Sequence, residues 1–264
     1  MHTLDFTNHG IVITGAGAGI GLGIARAFLD AGAHVALGDF REAALARAAA
    51  GLGEASRVHT RVVDVRDEQS TAAFFEDAER ALGTVTVAVA NAGIYPNTPV
   101  LDMTTEEWDR VMETNARGVF LTCRAAARAM VARGTRGKII TLSSGAAQSG
   151  RQGAAHYCAS KAAVVMFTKV LALELAAHHI NVNCIAPGLI EVNSEVSPLT
   201  REYVETLTRS IPWGRIGTPA DIAHAALFLA SPLADFITGE VLAVNGGSSA
   251  GRAFLPLSTP KPTS

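Results

Sequence analysis

The chain has 264 residues, of which 48% are hydrophobic and 17% charged, with a formal charge of -2. This supplies ample core material, and the near-neutral balance leaves no basic footprint for nucleic acid or an anionic membrane. No apolar run approaches the roughly 20 residues of a membrane span, and "MHTLDFTNHG" lacks the basic-then-apolar order of a signal peptide.

Three cysteines, Cys123, Cys158 and Cys184, are widely spaced and odd in number. They suggest neither a disulfide framework nor a zinc site, and a reducing, cytoplasmic setting is expected. His178 and His179 are adjacent, so on a helix they point about 100° apart and make a poor metal pair. No metal is expected.

In chain order, "GIVIT" (10–14) reads as a β-branched strand, followed by glycines and the amphipathic helix "IARAFLDAG". "HVALGD" (34–39) is a second strand before the alanine-rich helix "REAALARAAAGLG". "RVHTRVVDV" holds a third strand, and "EQSTAAFFEDAERALG" a helix ending at Gly83. "TVTVAVANAG" is a fourth strand with an abrupt glycine stop. Residues 104–134 form one long helix, opened by Thr104 or Thr105 with acidic residues in its first turn. "KIITLSS" is a fifth strand and 156–179 a second long helix. "INVNCIAPG" is a sixth strand, 191–218 a polar stretch, "PADIAHAALFLAS" a helix opened by Pro219, and "GEVLAVNGG" a seventh strand. Strands alternating with helices imply an α/β fold, a doubly wound parallel sheet of about seven strands with helices on both faces. Residues 1–250 read as one domain. The proline-bearing tail, 251–264, is expected to be partly disordered or, through Phe254 and Leu255, to dock on a neighbouring subunit.

The stretch "VITGAGAGIGLG" (12–23) lies between strand and helix, where a phosphate-binding loop belongs. G-x-G-x-x-G fits in no register, and no Gly-Lys-Ser/Thr follows. T-G-x-x-x-G-x-G does fit, with Thr14, Gly15, Gly19, Ile20 and Gly21. Gly17, Gly21 and Gly23 also satisfy the glycine spacing, but that register lacks the preceding Thr and sits two residues too far from the strand, so Gly17 and Gly23 read as extra, the first loosening the loop and the second permitting close helix packing. A tight turn with close helix–strand packing is the competing reading. Asp39 ends the second strand, where a carboxylate can accept bonds from adenosine ribose hydroxyls and repel a 2′-phosphate. With Phe40 after it and Ala18 in the loop, NAD is favoured over NADP; Arg41 is the nearby cation that argues the other way.

Tyr157 and Lys161 are four residues apart on a helix and share a face. An ammonium beside a phenol favours the phenolate, so Tyr157 is expected to titrate below its ordinary range and to exchange a proton with an alcohol oxygen. Ser144, at the end of the fifth strand, can hydrogen-bond that oxygen. A surface Tyr/Lys pair is the plainer alternative.

The ordered set "TGAGAGIG", Asp64, "NAG" (91–93), Asn115, Ser144, "YCASK", "NVNCIAPG" and "TGEVLAVNGG" resembles the classical short-chain dehydrogenases/reductases over residues 8–248. The resemblance implies a Rossmann-type fold and a hydride-transferring oxidoreductase with a nicotinamide cofactor, which the Asp39 reading narrows to NAD. It implies Tyr157 as acid/base, Lys161 on the nicotinamide ribose, Ser144 on the substrate oxygen, and Asn115 holding a water in a proton relay. Asp64 and Val65 would contact adenine, Asn91, Ala92 and Gly93 would line the cofactor, and Pro187, Gly188 and Ile190 would flank the nicotinamide. Asn115 adjusting its helix and Asn91 tying strands together remain as alternatives. The family often has a Thr where Val192 stands, and Asn193 or Ser194 is the nearest substitute.

The pocket segments supply Tyr95 and Pro96, then Ala146, Gln148, Arg151 and His156, then Glu191, Asn193 and Trp213. This polar mix suits a sugar or polyol over a steroid or long acyl chain. Arg151 is either an anion contact or an exposed surface arginine, and His156 points away from Tyr157's face. An NAD-linked alcohol or sugar dehydrogenase leads, with a small-molecule alcohol or carbonyl as partner. An NADP-dependent 3-oxoacyl thioester reductase and a catalytically silent cofactor-binding regulator are the alternatives. The alanine-rich long helices imply association, and the resemblance implies a homotetramer or homodimer.

Overall fold

Apolar residues on successive positions of a strand bury both of its faces, and the central strands do so completely. In the computed structural model, which describes residues 4–191 and 201–251, every residue of β1 (Gly10–Thr14) is buried. Ile11 and Ile13 enter one apolar core and Val12 the other. β2 (His34–Asp39), β3 (Val58–Val62), β4 (Val85–Ala90), β5 (Lys138–Leu142), β6 (Asn181–Pro187) and β7 (Val241–Val244) complete one seven-stranded sheet. Its order is β3-β2-β1-β4-β5-β6-β7, and each neighbouring pair is parallel.

Helices cover both faces. α1 (Gly19–Asp30), α2 (Glu42–Leu52) and α8 (Pro219–Ala230) pack on one side through Ile24, Phe28, Leu45 and Ile222. α3 (Glu68–Leu82), α5 (Gly118–Arg133) and α6 (Ala155–Leu175) pack on the other through Phe74, Val119, Cys123 and Val164. Strand order reverses between β1 and β4, and a crevice opens there at the carboxyl ends of the strands.

Capping chemistry sets several boundaries. Asp67 accepts from Gln69 N–H and Ser70 N–H at the start of α3. Thr218 and Asp221 form a reciprocal capping box ahead of Pro219 in α8.

Two elements differ from the sequence reading. Residues 104–134 are helical almost throughout, but as α4 (Thr105–Met112), a π-helical turn (Glu113–Arg117) and α5. The Gly118 N–H reaches back to Glu113 O, one residue beyond the α-helical partner, so the turn holds an extra residue and Asn115 faces inward, fully buried. The polar stretch 191–218 contains α7 (Arg201–Thr208). The expectations for Val192, Asn193, Ser194, Phe254 and Leu255 fall outside the described residues. All three cysteines are free, and no described helix is long and apolar enough to cross a membrane.

Candidate active site

The crevice is a cleft of about 1070 Å³. Its floor at one end is the glycine loop. Gly15 and Gly19 adopt left-handed backbone, with φ of 67° and 57°, which a side chain would strain. Gly21 is required by proximity, since a Cβ there would lie 2.3 Å from Gly15 O. Thr14 and Asn91 tie the loop to β4. Asn91 Nδ2 donates to Thr14 O and Gly15 O, both at 3.0 Å, and Asn91 N–H donates to Thr14 Oγ1 at 3.2 Å. The strand-tying reading of Asn91 is therefore met directly.

Gly17 does more than loosen the loop. Its N–H donates to Asp39 Oδ2 at 3.0 Å, and a Cβ on it would sit 2.9 Å from the same oxygen. Gly23 behaves as the sequence suggests: a Cβ there would lie 2.6 Å from Pro219 Cβ, so its absence lets α1 and α8 close together.

Asp39 is almost buried, and its other oxygen accepts from the N–H of Arg41 at 3.0 Å and from Arg41 Nε at 3.3 Å. Asp64 is held by Arg66 in a forked pair, with Nε–Oδ1 at 2.9 Å and Nη2–Oδ2 at 2.6 Å. This guanidinium keeps the Asp64 carboxyl below its ordinary value. Arg66 also lies over the exposed Phe40 ring at 5.9 Å. Asp39, Phe40, Asp64 and Val65 thus share one end of the cleft with Ala18 and Ile20 of the loop. The Cβ-free glycine positions of the loop and the Asp39 and Asp64 carboxylates of the end wall fit an adenosine diphosphate group, and Pro187, Gly188 and Ile190 line the cleft further along.

Ser144, Tyr157 and Lys161 meet in the cleft beside Ala92, Gly93 and Tyr95. Ser144 caps a short 3-10 turn (Gly145–Ala147), accepting from Ala146 N–H at 3.2 Å. Lys161 is buried, and its Nζ donates to Leu142 O at 2.9 Å. With one of three donors met among the described residues, it has donors left for a hydroxyl-bearing group. Burial lowers Lys161 to about 8.

Tyr157 departs from expectation. Burial pushes its phenol above the ordinary value, and the opposing pulls come from the Ser144 hydroxyl and Arg151, with Lys161 not among them. The reason is geometric: the Lys161 ammonium lies 5.8 Å from the Tyr157 ring centroid and is anchored on Leu142 O. Arg151 places its guanidinium 5.5 Å from the same centroid, and Tyr95 meets the ring edge-on.

Asn115 stands behind the cleft wall. Its Oδ1 accepts from Ile94 N–H and its Nδ2 donates to Ile94 O, both at 2.8 Å, with a further bond to Ser160 Oγ at 3.2 Å. The side chain thereby fixes the strand end that carries Gly93, where a Cβ would lie 3.2 Å from Asn115 Oδ1 and 3.4 Å from Lys161 Nζ.

Of the substrate-side residues, Tyr95, Ala146 and Arg151 line the cleft. Gln148 and Trp213 do not. Gln148 is exposed just past the 3-10 turn, and Trp213 is 74% exposed, its N–H held by Gly246 O at 3.1 Å. Asn193 is outside the described residues. The sequence reading missed Ser143, whose Oγ donates to Lys161 O at 2.8 Å, and Leu207 of α7, which lines the cleft. Apolar spacing at Val204, Leu207 and Ile211 was the available signal for α7. Among the described residues no cluster of His, Cys, Asp and Glu could hold a metal.

Known proteins share much of this sequence and fold. Residues 15–249 match the family described as enoyl-(acyl carrier protein) reductase. Galactitol 2-dehydrogenase (L-tagatose-forming) of Cereibacter sphaeroides is 44% identical over 239 residues, 89% of this chain and 92% of that protein. A 3-oxoacyl-(acyl-carrier-protein) reductase of Chlamydia muridarum is 37% identical over 91% of this chain and 97% of its own length. A short-chain type dehydrogenase/reductase from Mycobacterium marinum superposes with a TM-score of 0.89 at 38% identity, covering 94% of this chain and 98% of that one. Glycine loop, parallel sheet, Ser–Tyr–Lys cleft and near full-length similarity agree, and the chain belongs to the short-chain dehydrogenase/reductase family of nicotinamide-dependent oxidoreductases.

Proposed function

We propose that this chain is an NAD-dependent dehydrogenase that interconverts a secondary alcohol, foremost a sugar or polyol hydroxyl, with its carbonyl. The observation that carries this reading is the convergence of Ser144, Tyr157 and Lys161 in a cleft whose far end presents the near-buried Asp39 carboxylate. The bound nicotinamide supplies or accepts the hydride. Ser144 and Tyr157 hold the substrate oxygen, and Tyr157 gives or takes its proton. Lys161 binds the cofactor ribose, while Asn115 keeps Gly93 and Lys161 in register and serves the proton path to solvent. Asp39 accepts from the adenosine ribose hydroxyls and disfavours a 2′-phosphate; Arg41, already committed to Asp39, is poorly placed to attract one. The galactitol 2-dehydrogenase relative, and the polar side chains of Asn97, Ser149 and Arg151 on an otherwise largely apolar cleft wall, support a polyhydroxylated substrate. The chain acts as a homotetramer and as one catalytic domain.

A second reading, an NADP-dependent 3-oxoacyl thioester reductase, draws on the Chlamydia muridarum relative and on Arg41 and Arg66 at the adenosine end. Initial rates with NAD and NADP across polyols, sugars and secondary alcohols, and with NADH and NADPH on a 3-oxoacyl thioester, separate the two. Polyol oxidation with NAD at least about tenfold faster than with NADP supports the first; thioester reduction with NADPH alone overturns it. Tyr157→Phe is expected to abolish turnover while NAD binding, followed by fluorescence titration, changes less than about twofold, because the phenol oxygen enters the chemistry and not the cofactor contacts.

A further inference from the structure

The first four N–H groups of a helix have no acceptor within it. In α6 the Cys158 N–H makes the bond to Ala154 O, at 2.8 Å, and Ala154 at the N-cap offers no side-chain acceptor. The Tyr157 N–H, one residue earlier, is thus an orphan donor on the residue whose phenol enters the cleft.

His156 meets it. Its Nδ1 accepts from the Tyr157 N–H at 2.8 Å. A ring nitrogen that accepts carries no proton, so the proton is on Nε2, which donates to Glu107 Oε1 at 3.1 Å. Thr98 Oγ1 donates to the same Glu107 oxygen at 2.6 Å, and the Thr98 N–H donates to Gly153 O at 2.7 Å. The His156 ring is fully buried with both nitrogens satisfied. The chain of bonds joins the loop after β4, helix α4 and the start of α6. Tyr95, whose ring meets Tyr157 edge-on, sits in that clamped loop.

We propose that His156, held in one tautomer by Glu107 and Thr98, is a positioning residue that fixes the backbone of Tyr157 and so the direction in which its phenol enters the cleft. This rests on the reading of Tyr157 as the acid/base. An imidazole fits because it accepts from the helix end on one ring nitrogen while donating to a carboxylate from the other. A residue that only filled space would need neither bond.

Two substitutions separate the bonds. His156→Asn keeps an acceptor where Nδ1 stands and gives up Glu107. His156→Gln reaches Glu107 and offers nothing to the Tyr157 N–H. The Gln variant is expected to lose about tenfold in kcat with alcohol KM and NAD affinity within twofold, since small misplacements of a reacting group are costly. The Asn variant is expected to regain most of that loss. Labelling the three tyrosines with 15N gives a readout without turnover: amide exchange at Tyr157 accelerates in the Gln variant and not in the Asn variant. Wild-type kcat in the Gln variant, or equal losses in both, overturns the proposal. If the wild-type chain oxidises no alcohol, the acid/base reading fails and exchange alone decides the clamp, equal exchange in all three proteins overturning it. Should the buried substitutions prevent folding, Thr98→Val at the half-buried end of the chain takes their place. A kcat lowered about threefold at constant KM upholds the clamp, and an unchanged kcat overturns it.

Discussion

Tyr157 is held between opposing influences, and their balance has a kinetic consequence. Burial favours the neutral phenol, whereas Arg151 and the Ser144 hydroxyl favour the phenolate. Oxidation needs the phenolate as base, and reduction needs the phenol as acid. With the phenol raised above its ordinary value, the proposed role of Tyr157 predicts that kcat/KM for oxidation climbs as pH rises through the alkaline range, while reduction keeps its acid at neutral pH. Arg151→Met preserves the stem and removes the charge, so Tyr157 moves further up. The alkaline limb of the oxidation profile is then displaced to higher pH, and kcat/KM near pH 8 falls about threefold, a modest effect because Arg151 is exposed and screened. The reductive rate near pH 7 changes little. A profile that keeps its midpoint would remove Arg151 from the electrostatics of Tyr157.

At the scale of elements, the glycine loop shows two kinds of glycine outside the family spacing. Gly17 answers to Asp39 in the cleft, and Gly23 answers to Pro219 across the α1–α8 contact. Gly23→Ala gains up to about 1 kcal/mol of helix propensity but forces a methyl against a rigid ring, an overpacking of about 1–3 kcal/mol. Net destabilisation is expected, lowering Tm by about 2–4 °C for each kcal/mol lost, with NAD affinity within twofold. Gly17→Ala is expected to cost stability too and, unlike Gly23→Ala, to weaken NAD binding about tenfold, because its Cβ would press on Ala44 Cβ and on the Asp39 carboxylate, each at 2.9 Å. Thermal unfolding and cofactor titration of both variants check the division. Much of this was legible in the chain. Near-continuous apolar strands such as "VTVAVA" announce a sheet buried on both faces, and Tyr157 and Lys161 announce their pairing by helical spacing. The π turn at Glu113–Arg117 was hidden because no Gly or Pro breaks the helical pattern there; its signature is tertiary, the inward demand of Asn115 for both backbone groups of Ile94. The His156 clamp was hidden because its members are separated by nine and forty-nine residues. Nothing local links Thr98, Glu107 and His156 until the fold does.

At the scale of the whole molecule, two apolar patches bear on assembly. On α6, Met166, Val170 and Leu173 are 61%, 45% and 80% exposed at i, i+4 and i+7, a stripe along one helical face. Phe120 of α5 extends it, meeting Phe167 edge-on. At the β7 end of the sheet, Leu233, Phe236 and Leu242 supply a second set of exposed apolar side chains, with Phe236 wholly exposed. β7 is an edge strand with no strand on its outer side among the described residues, a position proteins normally cover or blunt. One self-complementary patch makes a dimer, and two on different elements generate a tetramer with crossed two-fold axes. Light scattering is therefore expected to give four times the 27.4 kDa chain mass. Met166→Glu with Leu173→Glu puts like charges on the α6 face and should halve that mass, leaving dimers joined at the β7 end. Phe236→Asp should halve it too, leaving dimers joined through α5 and α6. Combining the three substitutions should give monomers. The cleft opens at the carboxyl ends of β1 and β4, away from the edge strand, so the dimers are expected to retain cofactor binding. A tetramer that survives all three substitutions would show that assembly uses neither face.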